Sequence, residues 1–115
     1  MRVEMADLPA EIVPRGGGFL LTSVQDSRPH AAHLLFEVAA APIDGSADGT
    51  IQVELRAKVG RTSFGNCRMR PSVTVLWPSA EDGGYSLIVD GEARTDGDDH
   101  VIVTATSAVL HRPAP

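Results

Sequence analysis

The sequence holds one cysteine, Cys67, so an internal disulfide is impossible and no zinc-type cysteine pattern exists. It has no run of about 18 apolar residues, the length a helix needs to cross a bilayer, so no membrane role is expected. Residues 1–7 contain no apolar signal core, which points to a cytoplasmic protein. Positive charge is scarce. Ten Lys and Arg against fifteen Asp and Glu give a net charge of -5, and general binding to nucleic acid needs a basic face. No Gly-x-Ser-x-Gly elbow occurs, so the serines, histidines and aspartates do not form a hydrolase pattern. Of the four histidines, His30 and His33 stand three apart on an expected strand. That spacing sends them to opposite faces, a poor arrangement for one metal. Asp96, Asp98 and Asp99 lack the spaced ligands and closing glutamate of a calcium loop, and read as a solvated turn.

What is present suits one soluble globular domain spanning 1–115 with a single core. Residues 1–15 form an N-terminal arm, in which Ala6-Asp7-Leu8-Pro9 starts either a short helix or an irregular segment. Pro14-Arg15-Gly16-Gly17-Gly18 reads as a flexible breaker. Strands are expected over 19–24, 30–40, 50–56, 72–77, 85–93 and 100–106, the last extended by 107–112; the alanines of 30–40 would also suit a helix, and its place just after a turn favours the strand. Residues 50–56 alternate apolar and polar, the mark of a half-buried strand. Gly91 predicts a bend or bulge. Turns are expected over 25–29, 42–49, 81–84 and 96–99, and residues 113–115 fray. Six strands, tight polar turns and one short helix predict an all-β fold, a small β-barrel that pattern alone does not separate from an open sandwich.

One stretch, 60–78, departs from the acidic character of the rest. No acid lies between Glu54 and Glu81, while Arg56, Lys58, Arg61, Arg68 and Arg70 are five of the ten basic residues. Thr62 or Ser63 is expected to cap a short helix that Pro71 ends, and 72–77 then forms a buried strand. A helix N-terminus beside arginines is a seat for an anion, because its free N–H groups and its dipole both favour negative charge. Arg61, Thr62 and Ser63 are therefore the candidate phosphate ligands, with Arg56 and Lys58 flanking the same loop. Cys67 is expected to pack as a small buried residue near Phe64, and Trp77 to belong to the core or to an interface.

Taken in order, Phe19-Leu20-Leu21-Thr22-Ser23-Val24, Arg28-Pro29-His30, Gly60-Arg61-Thr62-Ser63, Asn66 and Arg70-Pro71-Ser72-Val73-Thr74-Val75-Leu76-Trp77 resemble the pyridoxamine-phosphate-oxidase-like, FMN-binding split barrels. Val89-Asp90-Gly91-Glu92-Ala93 and Ala108-Val109-Leu110-His111-Arg112-Pro113 extend the likeness to the C-terminal end. The resemblance implies a six-stranded, Greek-key-like split β-barrel with one short helix, and a homodimer with FMN held at the interface. It implies a flavin-dependent oxidoreductase acting on a small-molecule substrate. It places the phosphate on Arg61, Thr62 and Ser63, and the ring contacts around His33 and Leu34 and at Arg56 and Ala57. The flavin would carry the chemistry, so no catalytic acid or base is named. Relatives of this barrel use the deazaflavin F420, which stands as the alternative cofactor. A dimeric module that binds a small anion without catalysis is the alternative outside enzymes. Ala32 and Glu37 occupy positions where the vitamin-converting oxidases carry basic residues, which argues against vitamin B6 oxidation.

Overall fold

The computed structural model describes residues 1–24, 28–43, 45 and 49–112. Among them, seven strands form one antiparallel sheet: β1 (Gly18–Thr22), β2 (His30–Leu34), β3 (Glu37–Pro42), β4 (Ile51–Lys58), β5 (Ser72–Trp77), β6 (Ser86–Asp96) and β7 (His100–His111). Their spatial order is β2-β1-β5-β6-β7-β4-β3. Helix α1 (Leu8–Ile12) lies between 3₁₀ turns at Met5–Asp7 and Val13–Arg15, and α2 (Arg61–Met69) joins β4 to β5. The expected turn over 25–29 and loop over 42–49 fall partly outside the described residues, and the frayed tail at 113–115 falls wholly outside them.

The fold is mainly β as expected, but with seven strands rather than six, and the sheet is not closed. The expected strand over 30–40 divides at Leu35-Phe36. Its first half pairs with β1 at one edge of the sheet, and its second half pairs with β4 at the opposite edge. From Leu34 to Glu37 the chain takes three steps, which reach at most about 11 Å. The sheet must therefore curl until its two edges are neighbours, leaving a seam that the chain crosses but no ladder closes. The ring of Phe36 fixes the crossing against Trp77, with centroids 5.6 Å apart.

The inner face follows the period of two. On β4, Val53, Leu55 and Ala57 are buried while Glu54, Arg56 and Lys58 face out. Val73, Val75 and Trp77 of β5, Leu87 and Val89 of β6, and Val101 and Val103 of β7 complete the core. Each such buried side chain contributes about 1.5–3 kcal/mol. The N-terminal arm belongs to this structure. Leu8 and Ile12, one helical turn apart, insert into the core. Val3 N–H donates to Ala108 O at 2.9 Å and Leu110 N–H to Met1 O at 2.7 Å, adding a short edge to β7.

The glycine run at 16–18 is a packing seat rather than a loose breaker. A Cβ on Gly18 would stand 2.7 Å from Trp77 Cε2, and one on Gly17 would stand 2.6 Å from His33 Nε2. Trp77 Nε1–H donates to Gly16 O at 3.1 Å, which satisfies the indole of a fully buried side chain. The expected bulge is present as a register shift between Asp90 and Gly91.

Candidate functional site

Strand β4 ends at Lys58, and the chain turns into α2 through Val59 and Gly60. Val59 is buried, and its N–H donates to Asp99 O at 2.8 Å, which lays the β6–β7 turn against the start of α2. The helix starts earlier than expected, with its cap two residues before Thr62 and three before Ser63. Gly60, extended at φ -78° and ψ 176°, is the N-cap, and neither Thr62 nor Ser63 makes a side-chain cap. Both are already helical, and Ser63 is only 3% exposed, so its side chain packs inward on the same face as Cys67. Phe64 N–H donates to Gly60 O at 3.0 Å, and the N–H groups before it have no partner within the helix. Arg61 and Thr62 are exposed beside them. At the other end, Arg70 N–H donates to Asn66 O at 2.8 Å, and Pro71 follows with its carbonyl accepting from Ala93 N–H at 2.7 Å.

The basic residues divide into two kinds. Arg56 is ion-paired, with Nε 3.0 Å from Asp96 Oδ2 and Nη1 3.9 Å from Glu37 Oε2. It shares a face with Glu54, but Glu54 is taken by Arg94 at 2.7 Å. Arg61, Arg68 and Arg70 have no ion pair among the described residues. Lys58 is exposed and sits opposite His100 in the ladder. Asp99 Oδ1 lies 2.7 Å from His100 Nδ1, and that hydrogen bond holds its carboxyl below 3.8, helped by the charges of His100, Lys58 and Arg56. Nothing in the sequence places Asp99 next to Lys58; only the packing of the β6–β7 turn does.

Two of the expected ring contacts, His33 and Leu34, lie on β2 at the far edge of the sheet. His33 faces outward opposite Phe19, with ring centroids 5.0 Å apart, while Leu34 packs on the core opposite Gly18. His30 points to the other face, opposite Thr22, as the spacing requires. The seam brings the two groups together along the chain, since Glu37, the partner of Arg56, stands three residues after Leu34. Ala57 is buried, which leaves its side chain in the core. Cys67 is buried near Phe64, and burial pushes its thiol up to about 11, which makes it a packing residue. Trp77 belongs to the core.

A cavity of about 390 Å³ lies elsewhere, on the outer face between β1, β5 and β6. Asp90 and Glu92 line it, taken by Thr74 Oγ1–H at 2.7 Å and Ser72 Oγ–H at 3.0 Å. Two carboxylates make it unfit for a phosphate.

The chain is 30% identical over 119 residues to Uncharacterized protein Mb0449c of Mycobacterium bovis and, equally, to Uncharacterized protein MT0457 of Mycobacterium tuberculosis; each alignment takes in 98% of this chain and 82% of the relative. No protein-family model matches. Among solved structures, a protein from Listeria innocua named Putative Pyridoxamine 5'-phosphate oxidase superposes with a TM-score of 0.56 at 18% identity, over 90% of this chain and 97% of that one. A protein named F420 Reductase superposes with a TM-score of 0.54 at 15% identity, over 84% and 90%. The fold is thus the split barrel of those two proteins.

Proposed function

We propose, for a chain that belongs to the family of the mycobacterial proteins Mb0449c and MT0457, a redox role with FMN held between two copies. The observation that carries this reading is the start of α2, where Arg61 stands exposed with no ion pair among the described residues, beside N–H groups that lack helical partners. A phosphate fits there chemically. Arg61 would bind it through charge-assisted hydrogen bonds, Thr62 through its hydroxyl, Ser63 through its backbone N–H, and Lys58 through charge from the strand end. A Cβ on Gly60 would meet nothing within 4 Å, so the backbone is open to approach. Arg56, tied to Asp96 and Glu37, would form a fixed wall beside the Ala57 backbone rather than a free phosphate ligand. His33 and Leu34 would line the ring from β2. The flavin, when bound, supplies hydride or electron transfer, and these residues bind and orient it.

The reading includes a homodimer. Phe19, Leu76, Ile88 and Val109 are aligned across β1, β5, β6 and β7 on the outer face, a row of large, partly exposed apolar side chains. A second copy related by a two-fold axis would cover that row with its own. F420 is the second reading for the cofactor, favoured by the solved protein of the same fold that bears its name.

Titration of the purified protein with FMN and with F420, followed by cofactor fluorescence and visible absorption, tests this. Saturable quenching by FMN is the expected result, and quenching by F420 alone would exchange the cofactor. A folded protein that binds neither overturns the redox role.

A further inference from the structure

The apolar row on the outer face has a polar residue at each end. At one end, Phe19 of β1 stands opposite His33 of β2, with ring centroids 5.0 Å apart. At the other, Val109 of β7 stands opposite Arg2 of the N-terminal arm. Leu110 N–H donates to Met1 O and Val3 N–H to Ala108 O, one residue to either side. Arg2 and Val109 are therefore a non-hydrogen-bonded pair, the kind that brings side chains closest. Val3 is buried in the core, so Arg2 faces out by the period of two. One line of side chains thus crosses the outer face in register: His33, Phe19, Leu76, Ile88, Val109 and Arg2. It carries no acid. Arg2 and His33 are exposed, and Arg2 has no ion pair among the described residues.

The two ends suit each other. A guanidinium stacks favourably on an aromatic face. Phe19 and His33 offer two adjoining rings, and the imidazole is held in place over Gly17. Within one chain the ends do not meet, because five strand spacings, about 24 Å along the sheet, lie between them. Two copies can bring them together. When the same face of two copies packs together, the two-fold axis lies in the plane between them. An axis laid along the row sets each side chain against its own copy, so Arg2 meets Arg2. An axis laid across the row, along the strands and between Leu76 and Ile88, reverses the second row. Arg2 of one copy then meets Phe19 and His33 of the other, and Leu76 meets Ile88. Both axes keep the strands of the two sheets aligned, an ordinary way for sheets to pack. Only the second avoids a contact between two arginines and gives each one a partner.

We propose that a second copy of this chain covers the row in reverse, with Arg2 of each copy stacked on the Phe19–His33 pair of the other. That a second copy covers the row rests on the homodimer reading above; the direction of its row and the part played by Arg2 go beyond that reading. The pairing sets a cation of one copy beside His33 and Leu34 of the other. Each proposed ring site would then hold residues from both chains.

Cross-linking reads the direction. Arg2→Cys and His33→Cys are made as separate chains, one carrying a tag that changes its mass. A short bis-maleimide spans the ~10 Å between packed sheets but not the length of the row. Cys67 stays out of the reaction, since it is buried and its thiol is pushed up to about 11. Each chain alone and the equimolar mixture are treated at concentrations where light scattering shows a dimer. The expected result is a linked heterodimer in the mixture and no linked dimer from either chain alone. Linking of Arg2→Cys to itself, or a dimer with no link in any sample, overturns the proposal and leaves the homodimer standing. Arg2→Ala should weaken the dimer about five- to thirtyfold, because the stacking contact occurs twice. In a chain that already carries Phe19→Leu and His33→Ala, the same substitution should cost little more. Equal losses in both backgrounds also overturn the stacking. A wild-type chain that is monomeric at every concentration removes the homodimer reading, and this pairing with it.

Discussion

The outer face of the sheet has two halves that obey different rules. Across β1, β5, β6 and the end of β7 it presents Phe19, Leu76, Ile88 and Val109 in register. Across β4, β3 and the start of β7 it presents Arg56, Glu37 and Glu54, joined to Arg94 and Asp96 at the end of β6. The register shift between Asp90 and Gly91 divides them. In the charged half each of these groups finds its counterpart within the chain, so that surface is finished. In the apolar half the side chains are partly exposed, and no charged group of the row pairs them off. The same contrast runs through the cations, since Arg56 and Arg94 are paired on the sheet and Arg61 on α2 has no ion pair among the described residues. What the chain leaves unpaired is where a second copy and an anionic ligand are expected.

The largest effect should come from Leu76→Asp. If a second copy covers the row, the new carboxylate is buried unpaired, at a cost of about 3–5 kcal/mol and a dimer weakened at least a hundredfold. The fold should survive, because Leu76 faces away from the core. Light scattering across a dilution series reads the outcome. A wild-type chain that is monomeric throughout would break the comparison, because the apolar half would then need no partner.

Arg61→Ala comes next. Losing a charge-assisted contact of about 1.5–3 kcal/mol should cost FMN about ten- to hundredfold in affinity. Riboflavin, which has the ring and no phosphate, should hardly change. Equal losses for both would make Arg61 a support of the pocket's shape. No loss for either would move the anion to Lys58.

In the charged half, a double-mutant cycle on Arg94→Ala and Glu54→Ala should return a coupling of only about 0.2–1 kcal/mol, since both side chains are partly wet. Neither substitution should shift the monomer–dimer balance. A shift would extend the interface into the half whose charges already find their counterparts within the chain.

Much of this was legible in the sequence, for physical reasons that differ by element. The alternation of 51–58 specified β4 and its two faces, and Gly91 marked the bulge. The division of 30–40 was hidden, because Ala31, Ala32, Leu34, Leu35, Phe36 and Val38 run on without a breaker. Only the need to pass from one sheet edge to the other separates β2 from β3. The apolar row was hidden for a related reason. In Val73-Thr74-Val75-Leu76-Trp77 and Leu87-Ile88-Val89 both faces are apolar, so spacing does not say which is inside. The cap was misplaced because Thr62 and Ser63 are good caps by type, while Ser63 is needed inside the helix, against the core. The basic loop was visible as composition, but its acidic neighbour came from a turn forty residues on.

That neighbour, Asp99, gives the smallest and most discriminating test. Its carboxyl is held below 3.8 by the hydrogen bond from His100 and then by the charges of His100, Lys58 and Arg56. A carboxyl with a lowered value in the folded state stabilises the fold above 3.8, and that contribution is lost as pH falls through the folded value. Asp99→Asn should therefore lower stability slightly at neutral pH, by an amount that solvent screening of a half-exposed group keeps small, and its difference from the wild type should vanish as pH falls below 3.8. Its effect on binding has the opposite sign. The aspartate competes with any phosphate for Lys58, so removing its charge should tighten FMN binding a few-fold at low salt, and added salt should erase the gain. Riboflavin should show no such gain. An FMN affinity unmoved by Asp99→Asn at low salt would place Lys58 beyond the phosphate and leave Arg61 as the cation that the site depends on.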